Sequence, residues 1–197
     1  MRSSNIEKRN EQGQISVSLS LDGNGRAEVN TGSDFLDHLL VGFTECGRFN
    51  LELRARIPND SDLHHTIEIV GDSLGEAFGE ALKGATGIRR YGNFFMPVGD
   101  ALVMAAVDAT SIPYLKMNLG KLEKNVGGFD LALVETFLHA FACSAKMNVH
   151  VMSQYGSDFH NIVEAAFKAL GNAIGTAVYA PYGNTTSLRK GNAVTLE

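Results

Sequence analysis

Two histidine–glutamate pairs occur in the sequence at the same four-residue spacing. The first is His64 with Glu68, and the second is His160 with Glu164. Residues four apart on an α-helix project from one face, so each imidazole and carboxylate could bind a metal ion together. Imidazole and carboxylate ligands without a thiolate are typical of Mn²⁺, Zn²⁺ or Fe²⁺ sites. The repeated pair therefore predicts a metal site rather than two unrelated surface or core histidines.

Three further histidines lie near these pairs or in predicted regular structure. His65 follows His64 but points about 100° away around the helix axis, so the two would serve different ions more naturally than one. His150 alternates with valines in a predicted strand and is expected on the opposite face of the sheet from them. His38 lies in the middle of a predicted helix. Position alone gives neither His38 nor His150 a role.

A second group of side chains is cationic and could bind a phosphate. Arg90 stands between glycines, Lys168 lies one helical turn beyond Glu164, and Lys190 lies in the polar tail. Guanidinium and ammonium groups bind phosphate through charge-assisted hydrogen bonds. For any one of these residues alone, a solvated surface position is the alternative.

Composition and charge exclude several classes of protein. The 197 residues are 44% hydrophobic and 20% charged, which is typical of a globular protein and excludes intrinsic disorder. A net charge of -5 argues against a nucleic-acid partner. No apolar run could span a bilayer, and the N-terminus has no signal-peptide core, so we expect a cytoplasmic protein without a membrane partner. Cys46 and Cys143 are expected to be buried, free thiols.

The elements that must position the two pairs follow the same order in both halves of the chain. Each half contains a predicted helix, a strand, a loop, and a second helix opened by the histidine motif. The helices are predicted at 34–46, 66–83, 130–146 and 160–178, the first and third capped by Asp34 and Asp130. Because His160 follows His64 at a distance of about half the chain, we infer a duplicated unit.

The predicted strands favour two small sheets. They lie at 14–21, 26–31, 49–57, 93–98, 101–109, 114–119 and 147–154. A turn at Asp22–Gly25 makes the first two a predicted hairpin, and such pairing favours an α+β fold over a doubly wound sheet. We therefore predict a duplicated α/β unit with two small sheets, each with helices packed on one face. The halves are expected at 1–90 and 91–180, followed by a tail at 181–197.

Short motifs in a fixed order along the chain resemble a known enzyme family. They are Phe35-Leu36-Asp37-His38-Leu39-Leu40, His64-His65-Thr66-Ile67-Glu68, Gly87-Ile88-Arg89-Arg90-Tyr91-Gly92, Ala106-Val107-Asp108, Pro113-Tyr114-Leu115, Phe129-Asp130 with Leu133-Val134-Glu135, and Glu164-Ala165-Ala166-Phe167-Lys168-Ala169. Together they resemble imidazoleglycerol-phosphate dehydratases of histidine biosynthesis over about residues 8–191. The resemblance implies a homo-oligomer, with trimers assembled into an octahedral shell of twenty-four subunits, and two Mn²⁺ ions at subunit contacts.

The resemblance also implies roles for individual residues. The matching metal-site positions are His38, His64, His65, Glu68, His150, His160, Asn161 and Glu164. The matching phosphate-binding positions are Arg90, Lys168 and Lys190. The implied reaction removes water from imidazole glycerol phosphate and gives imidazole acetol phosphate, with a metal-bound imidazolate expelling the hydroxyl group. The positions that match catalytic groups are His65, Glu68, Glu164 and Gln12.

Several positions differ from the family's pattern. Asn161 replaces the second histidine of the second motif, Gln12 replaces an acid beside the reacting carbons, and Ile112 replaces a phosphate-binding arginine. Gly99-Asp100 replaces an aspartate–glutamate pair. Three hypotheses follow. The first is a metal-dependent lyase, and the second is a diverged homologue that keeps the fold and assembly, binds a phosphorylated ligand or metal, and has weak or no dehydratase activity. The third is an unrelated metallohydrolase.

Overall fold

Two four-stranded sheets form the framework of the protein. The computed structural model describes residues 2–10, 13–58, 60, 63–110, 112–122, 125–126 and 129–181. The first sheet consists of β1 (Ser3–Asn10), β2 (Gly13–Ser20), β3 (Ala27–Asn30) and β4 (Asn50–Arg56), in the order β1-β2-β4-β3. The chain continues through β5 (Tyr91–Val98), β6 (Ala101–Asp108), β7 (Tyr114–Asn118), the short pair β8 (Asn125–Val126) and β9 (Phe129–Asp130), and β10 (Asn148–Tyr155). The second sheet has the order β5-β6-β10-β7.

Both sheets have the same topology. One edge strand runs parallel to its neighbour in each, β3 beside β4 and β7 beside β10, and the other pairs within the two sheets are antiparallel. This correspondence confirms the predicted duplicated unit with an α+β fold. The sequence pattern did not predict β1, because its inward-facing positions carry Ser4 and Lys8 and only one apolar side chain, Ile6.

Four helices form a layer between the two sheets. They are α1 (Asp34–Gly47), α2 (His64–Ala81), α3 (Leu133–Ala145) and α4 (Phe159–Val178). The α2 helix packs on the first sheet and α4 on the second, while α1 packs against α4 and α2 against α3. Each half therefore has its helices on one face of its sheet, as predicted, and the helices of one half cover those of the other.

Aromatic rings and glycines join the helices at the centre of this layer. The Phe78 ring lies 5.9 Å from Phe43 and 5.5 Å from Phe141, in edge-to-face geometry. A Cβ atom at Gly75 would collide with the Phe141 carbonyl, and one at Gly171 would collide with the Phe43 carbonyl. These two glycines are separated by the same number of residues as His64 and His160, so the close helix packing is duplicated as well.

The predicted hairpin of residues 14–21 and 26–31 is wrong. Strand β2 pairs with β1 and β4, and β3 pairs in parallel with β4. Asn50 at the start of β4 explains the crossing, because its Oδ1 accepts hydrogen bonds from the backbone N–H groups of Asn24 and Arg26 at 3.0 and 3.2 Å. These bonds lead the chain across the end of β4 rather than back along β2.

The cap of α1 and the starts of α2 and α3 differ from the predictions. Ser33, rather than Asp34, caps α1 by accepting a hydrogen bond from a backbone N–H of the first turn. The α3 helix begins at Leu133, since Asp130 belongs to β9. The α2 helix begins at His64, two residues before the predicted start at 66.

Two expectations concern the thiols and the membrane. The prediction of two buried thiols is wrong, because Cys143 is exposed on α3 and Cys46 is only half-buried; both are free. Within the described ranges, none of the helices has the length and apolar character needed to cross a bilayer.

Candidate active site

The loop before α4 orients the second histidine motif. The Asp158 carboxylate accepts a hydrogen bond from the His160 N–H at 2.8 Å, and the Asp158 carbonyl accepts one from the Ile162 N–H at 3.0 Å. This cap starts the helix at the point where His160 and Glu164 project together. His160 Nε2 lies 3.4 Å from Glu164 Oε2, so the two side chains meet as their spacing predicts.

His38 from α1 completes a cluster of three possible ligands with His160 and Glu164. Its Nε2 atom lies 3.6 Å from Glu164 Oε2, and one ligand atom from each residue lies within 4.8 Å of the others. An ion about 2.1 Å from each ligand would need only small side-chain movements to join them. In the described part of the chain, this is the only group of three histidine, cysteine or acidic residues that meets this distance.

The surroundings of the cluster differ between its members. The Glu164 side chain is only 15% exposed, whereas that of His38 is 51% exposed, so the cluster opens to the surface on the α1 side. The Phe35 ring lies 5.2 Å from the His160 ring and limits its movement. Two imidazoles and a carboxylate form a donor set that fits Mn²⁺, Zn²⁺ or Fe²⁺.

Lys168 controls the charge of Glu164. Its ammonium group donates a hydrogen bond to Glu164 Oε1 at 2.5 Å, and its aliphatic stem lies over Gly42, where a Cβ atom would come within 3.1 Å of Lys168 Cε. Burial opposes ionisation, but the hydrogen bond and charge of Lys168, followed by those of His38, outweigh it and lower the pKa of Glu164. Glu164 is therefore an anion at neutral pH.

The first histidine motif faces a different groove of the same chain. Asp60 fixes the start of α2, because its carboxylate accepts hydrogen bonds from the backbone N–H groups of His65 at 3.4 Å and Thr66 at 2.5 Å. His64 is exposed at this start. His65 and Glu68 line a cavity of about 700 Å³ between α2 and α3. The structure therefore does not bring this motif to the His38 cluster within one subunit.

His150 lies on the outer face of the second sheet. Val149 and Val151 are fully buried on the other face, so the predicted orientation of His150 is confirmed. Its ring lies 5.6 Å from that of Tyr114 on β7. Since the His38 cluster lies between helices on the inner side of this sheet, His150 does not join it within one chain.

The side chain of Asn161 is held by Asp100, a residue outside the predicted metal-site and phosphate-binding positions. Asn161 Nδ2 donates a hydrogen bond to Asp100 Oδ1 at 3.0 Å. Asp100 occupies the turn between β5 and β6, and Gly99 before it has φ +54°, in the left-handed region that favours glycine. Asp100 and Asn161 are 61 positions apart in the sequence, so no local sequence pattern predicts this contact.

Arg90 lies at the opposite end of α4 from the cluster. Its guanidinium binds Asp108 through two hydrogen bonds, at 2.7 and 3.0 Å, and its backbone N–H donates to the Ala177 carbonyl at 2.8 Å. From His160 to Ala177 the helix extends by about 25 Å at a rise of about 1.5 Å per residue. Arg90 therefore does not approach the His38 cluster within one subunit.

Three other predicted positions add no ligand to the cluster among the described residues. Gln12 and Lys190 lie outside the described residues, so their predicted roles remain predictions. Ile112 is 69% exposed, and its side chain carries no charge that could bind a phosphate.

Comparison with known proteins identifies the family. The family model described as imidazoleglycerol-phosphate dehydratase matches residues 31–174, which is more than half of the chain. The chain belongs to the imidazoleglycerol-phosphate dehydratase family. The dehydratase of Geobacillus kaustophilus is 43% identical over 176 residues, which are 89% of this chain and 90% of the relative. That of Bacillus subtilis is 39% identical over 177 residues, 90% of this chain and 91% of the relative.

Solved structures of the imidazoleglycerol-phosphate dehydratase family have the same fold. The Staphylococcus aureus enzyme superposes with a TM-score of 0.78 at 32% identity, covering 90% of this chain and 99% of that one. The Pyrococcus furiosus enzyme gives a TM-score of 0.78 at 28% identity, covering 92% and 98%. These matches confirm the resemblance and the fold drawn from the sequence. The chain is a hydro-lyase of this family.

Proposed function

We propose that the protein removes water from imidazole glycerol phosphate to give imidazole acetol phosphate in histidine biosynthesis, and that the reaction requires a divalent metal ion. The observation that carries the metal requirement is the cluster of His38, His160 and Glu164, whose ligand atoms lie within 4.8 Å of one another. Its nitrogen and oxygen donors support Mn²⁺ as the ion. A cytoplasmic location stays a prediction.

The histidines and the glutamate of the cluster have different tasks in this proposal. A divalent ion, when bound, supplies Lewis acidity toward the imidazole ring of the substrate. His38 and His160 provide nitrogen ligands, and Glu164 provides the negative charge. Because Lys168 keeps Glu164 ionised, Glu164 can bind a cation or accept a proton but cannot donate one.

The proton transfers require a second group besides Glu164. Dehydration needs one group that removes a proton from carbon and another that protonates the departing hydroxyl group. We assign the second task to the first motif, where His65 and Glu68 line the groove between α2 and α3. The amide of Gln12 can perform neither task, so we expect slow turnover.

We also propose that several subunits build each active site. Within one chain, Glu68 and His65 face one groove, His38 and Glu164 another, and Arg90 the far end of α4. The outer face of the second sheet supports assembly, because it carries aromatic side chains that are at least half exposed: Tyr91, Phe95, Tyr114 and Tyr155. Trimers arranged in a shell of twenty-four subunits would bring such surfaces and sites together, with a second Mn²⁺ ion per subunit at the first motif.

A diverged homologue with weak or no activity is the second candidate. Asn161 favours it, because a neutral amide oxygen is a weaker ligand for a transition metal than an imidazole nitrogen. The exposed, uncharged Ile112 favours it too, since it cannot bind phosphate. Such a protein would bind a phosphorylated ligand or a metal without turnover.

The two candidates are separated by turnover and metal content measured together. Wild-type protein loaded with Mn²⁺ should convert imidazole glycerol phosphate slowly and lose this activity on chelation. His38→Ala should lose the activity and the ion of the His38–His160–Glu164 cluster, whereas Glu80→Gln, which changes an exposed residue paired with Lys83 at the end of α2, should lose neither. Bound metal without product in the wild type would favour the diverged homologue. Less than about one-tenth of an ion per subunit would contradict the metal requirement.

A further inference from the structure

The Asp100 carboxylate, in the turn between β5 and β6, binds the loop before α4 and the first turn of that helix. Asp100 Oδ2 accepts hydrogen bonds from the Ser157 N–H at 2.7 Å, the Ser157 hydroxyl at 2.6 Å and the Asp158 N–H at 3.2 Å. Asp100 Oδ1 accepts a fourth from Asn161 Nδ2 at 3.0 Å. Both oxygen atoms are thus engaged, one by the loop and one by the first turn of the helix.

These donors favour the ionised form of Asp100. The hydrogen bond from Asn161, followed by those from Ser157 and Asp158, holds the pKa of the Asp100 carboxyl well below its usual range. Asp100 is thus a charged acceptor at neutral pH. A neutral amide in its place could not accept all four hydrogen bonds, because its nitrogen atom is a donor.

The residues that Asp100 holds are the ones that orient the cluster. Asp158 caps α4 through the His160 N–H, and Asn161 is the next residue along the helix. His160 and Glu164 project from the face of α4 that meets His38. A movement of this first turn would therefore shift the imidazole of His160 relative to the other two ligands.

We propose that Asp100 is a positioning residue, which sets the geometry of the His38–His160–Glu164 cluster from the β5–β6 turn without touching metal or substrate. This inference rests on the proposed metal function for its consequence, but the contacts that carry it do not involve the metal. The start of α2 is fixed differently, by Asp60 from its own preceding loop. Only the start of α4, of these two helix starts, is therefore held by a residue from a distant strand turn.

The experiment compares Asp100→Ala with a matched control. The control is Asp130→Asn, which changes a carboxylate that accepts a hydrogen bond from the nearby Ala132 N–H before α3. Mn²⁺ affinity should fall by about 10–100-fold in Asp100→Ala, which is the usual cost of losing an outer partner of a ligand, and should stay unchanged in Asp130→Asn. In metal-free protein, amide hydrogen exchange at Ser157, Asp158 and His160 should become at least about tenfold faster only in the Asp100 variant.

A double variant separates positioning from a general loss of stability. In Asp100→Asn/Asn161→Asp, the amide oxygen at position 100 still accepts from Ser157 and Asp158, and its nitrogen donates to the new carboxylate at position 161. We expect hydrogen exchange at Ser157, Asp158 and His160 to return to the slow wild-type rate. Fast exchange in the double variant would show that the Asp100→Ala effects came from unfolding alone, and it would overturn the proposal.

Failure of this inference can be distinguished from failure of the proposed function. If Glu164→Gln abolishes Mn²⁺ binding while Asp100→Ala binds as tightly as the wild type, the positioning role is wrong and the metal centre stands. If the wild type binds no Mn²⁺, the proposed function fails, and hydrogen exchange alone decides on Asp100. Unchanged exchange at His160 in Asp100→Ala would then overturn the positioning role.

Discussion

Replacement of Glu164 tests the proposed metal centre most directly. Glu164→Gln preserves the shape of the side chain but removes the only negative charge among the three ligands. Two unit charges 4 Å apart interact by about 4 kcal/mol at an effective dielectric constant near 20. A ligated dication is closer and carries twice the charge, so the loss should be at least this large. That energy corresponds to about a 10³-fold weaker Mn²⁺ affinity.

Lys168 increases this effect in a way that a second variant can measure. Its ammonium group, 2.5 Å from Glu164 Oε1, stays near the site after the substitution and repels the cation. The double variant Glu164→Gln/Lys168→Met should therefore bind Mn²⁺ more tightly than Glu164→Gln alone. Glu80→Gln is the matched control, because Glu80 pairs with Lys83 on the exposed end of α2.

Titration of Mn²⁺, followed through the paramagnetic resonance of the free ion, provides the assay. The wild type and Glu80→Gln should bind alike, and the two Glu164 variants should rank as described. An affinity of Glu164→Gln within about threefold of the wild type would refute the reasoning, since it would place the ion elsewhere.

Three further predictions follow from the same residues and the sheet faces. Ile112→Arg should lower KM for the phosphorylated substrate without changing the fold, because Ile112 is exposed; an unchanged KM would show that position 112 lies away from the phosphate. Phe95→Glu should dissociate the assembly, because it places a charge on the exposed aromatic face of the second sheet, whereas Ser16→Glu on the polar outer face of the first sheet should not. Light scattering measures the mass of each assembly, and an equal mass for both variants would contradict the proposed contact. The folded-state pKa of Glu164 is lowered from its ordinary value of 4.5, so its pairing with Lys168 stabilises the protein above that pH. This stabilisation is lost as the pH falls through the folded-state pKa. The melting temperature of Glu164→Gln should therefore depend less on pH in the acid range than that of the wild type.

Local geometry explains which parts of the site the sequence predicts. The pairing of His160 with Glu164 follows from helical periodicity alone, and the outward orientation of His150 follows from strand alternation. His38 reaches the cluster only because α1 packs against α4, a contact between distant parts of the chain that no local pattern contains. The binding of Asn161 by Asp100 has the same origin, since a strand turn and a helix start meet there.

The errors in the fold have a similar cause. The predicted hairpin assumed that neighbouring strands pair, yet β4 inserts between β2 and β3 because Asn50 redirects the chain. The omission of β1 came from its polar inward face. Ser4 and Lys8 bond to the Ala77 carbonyl and the Asp72 carboxylate of α2, so polar contacts hold this edge strand where apolar packing was expected.

The crossing of the helices between the halves has a consequence for symmetry. The α1 helix packs against α4, and α2 packs against α3. The two halves therefore meet through their helices as the two subunits of a dimer would, although they belong to one chain. Lys168 and Asp72 occupy equivalent positions in the repeat, yet one is a cation beside Glu164 and the other an anion bonded to Lys8. A true homodimer must carry the same charge in both grooves. Fusion of the partners removes that constraint, so a single polypeptide can place different charged residues in its two grooves.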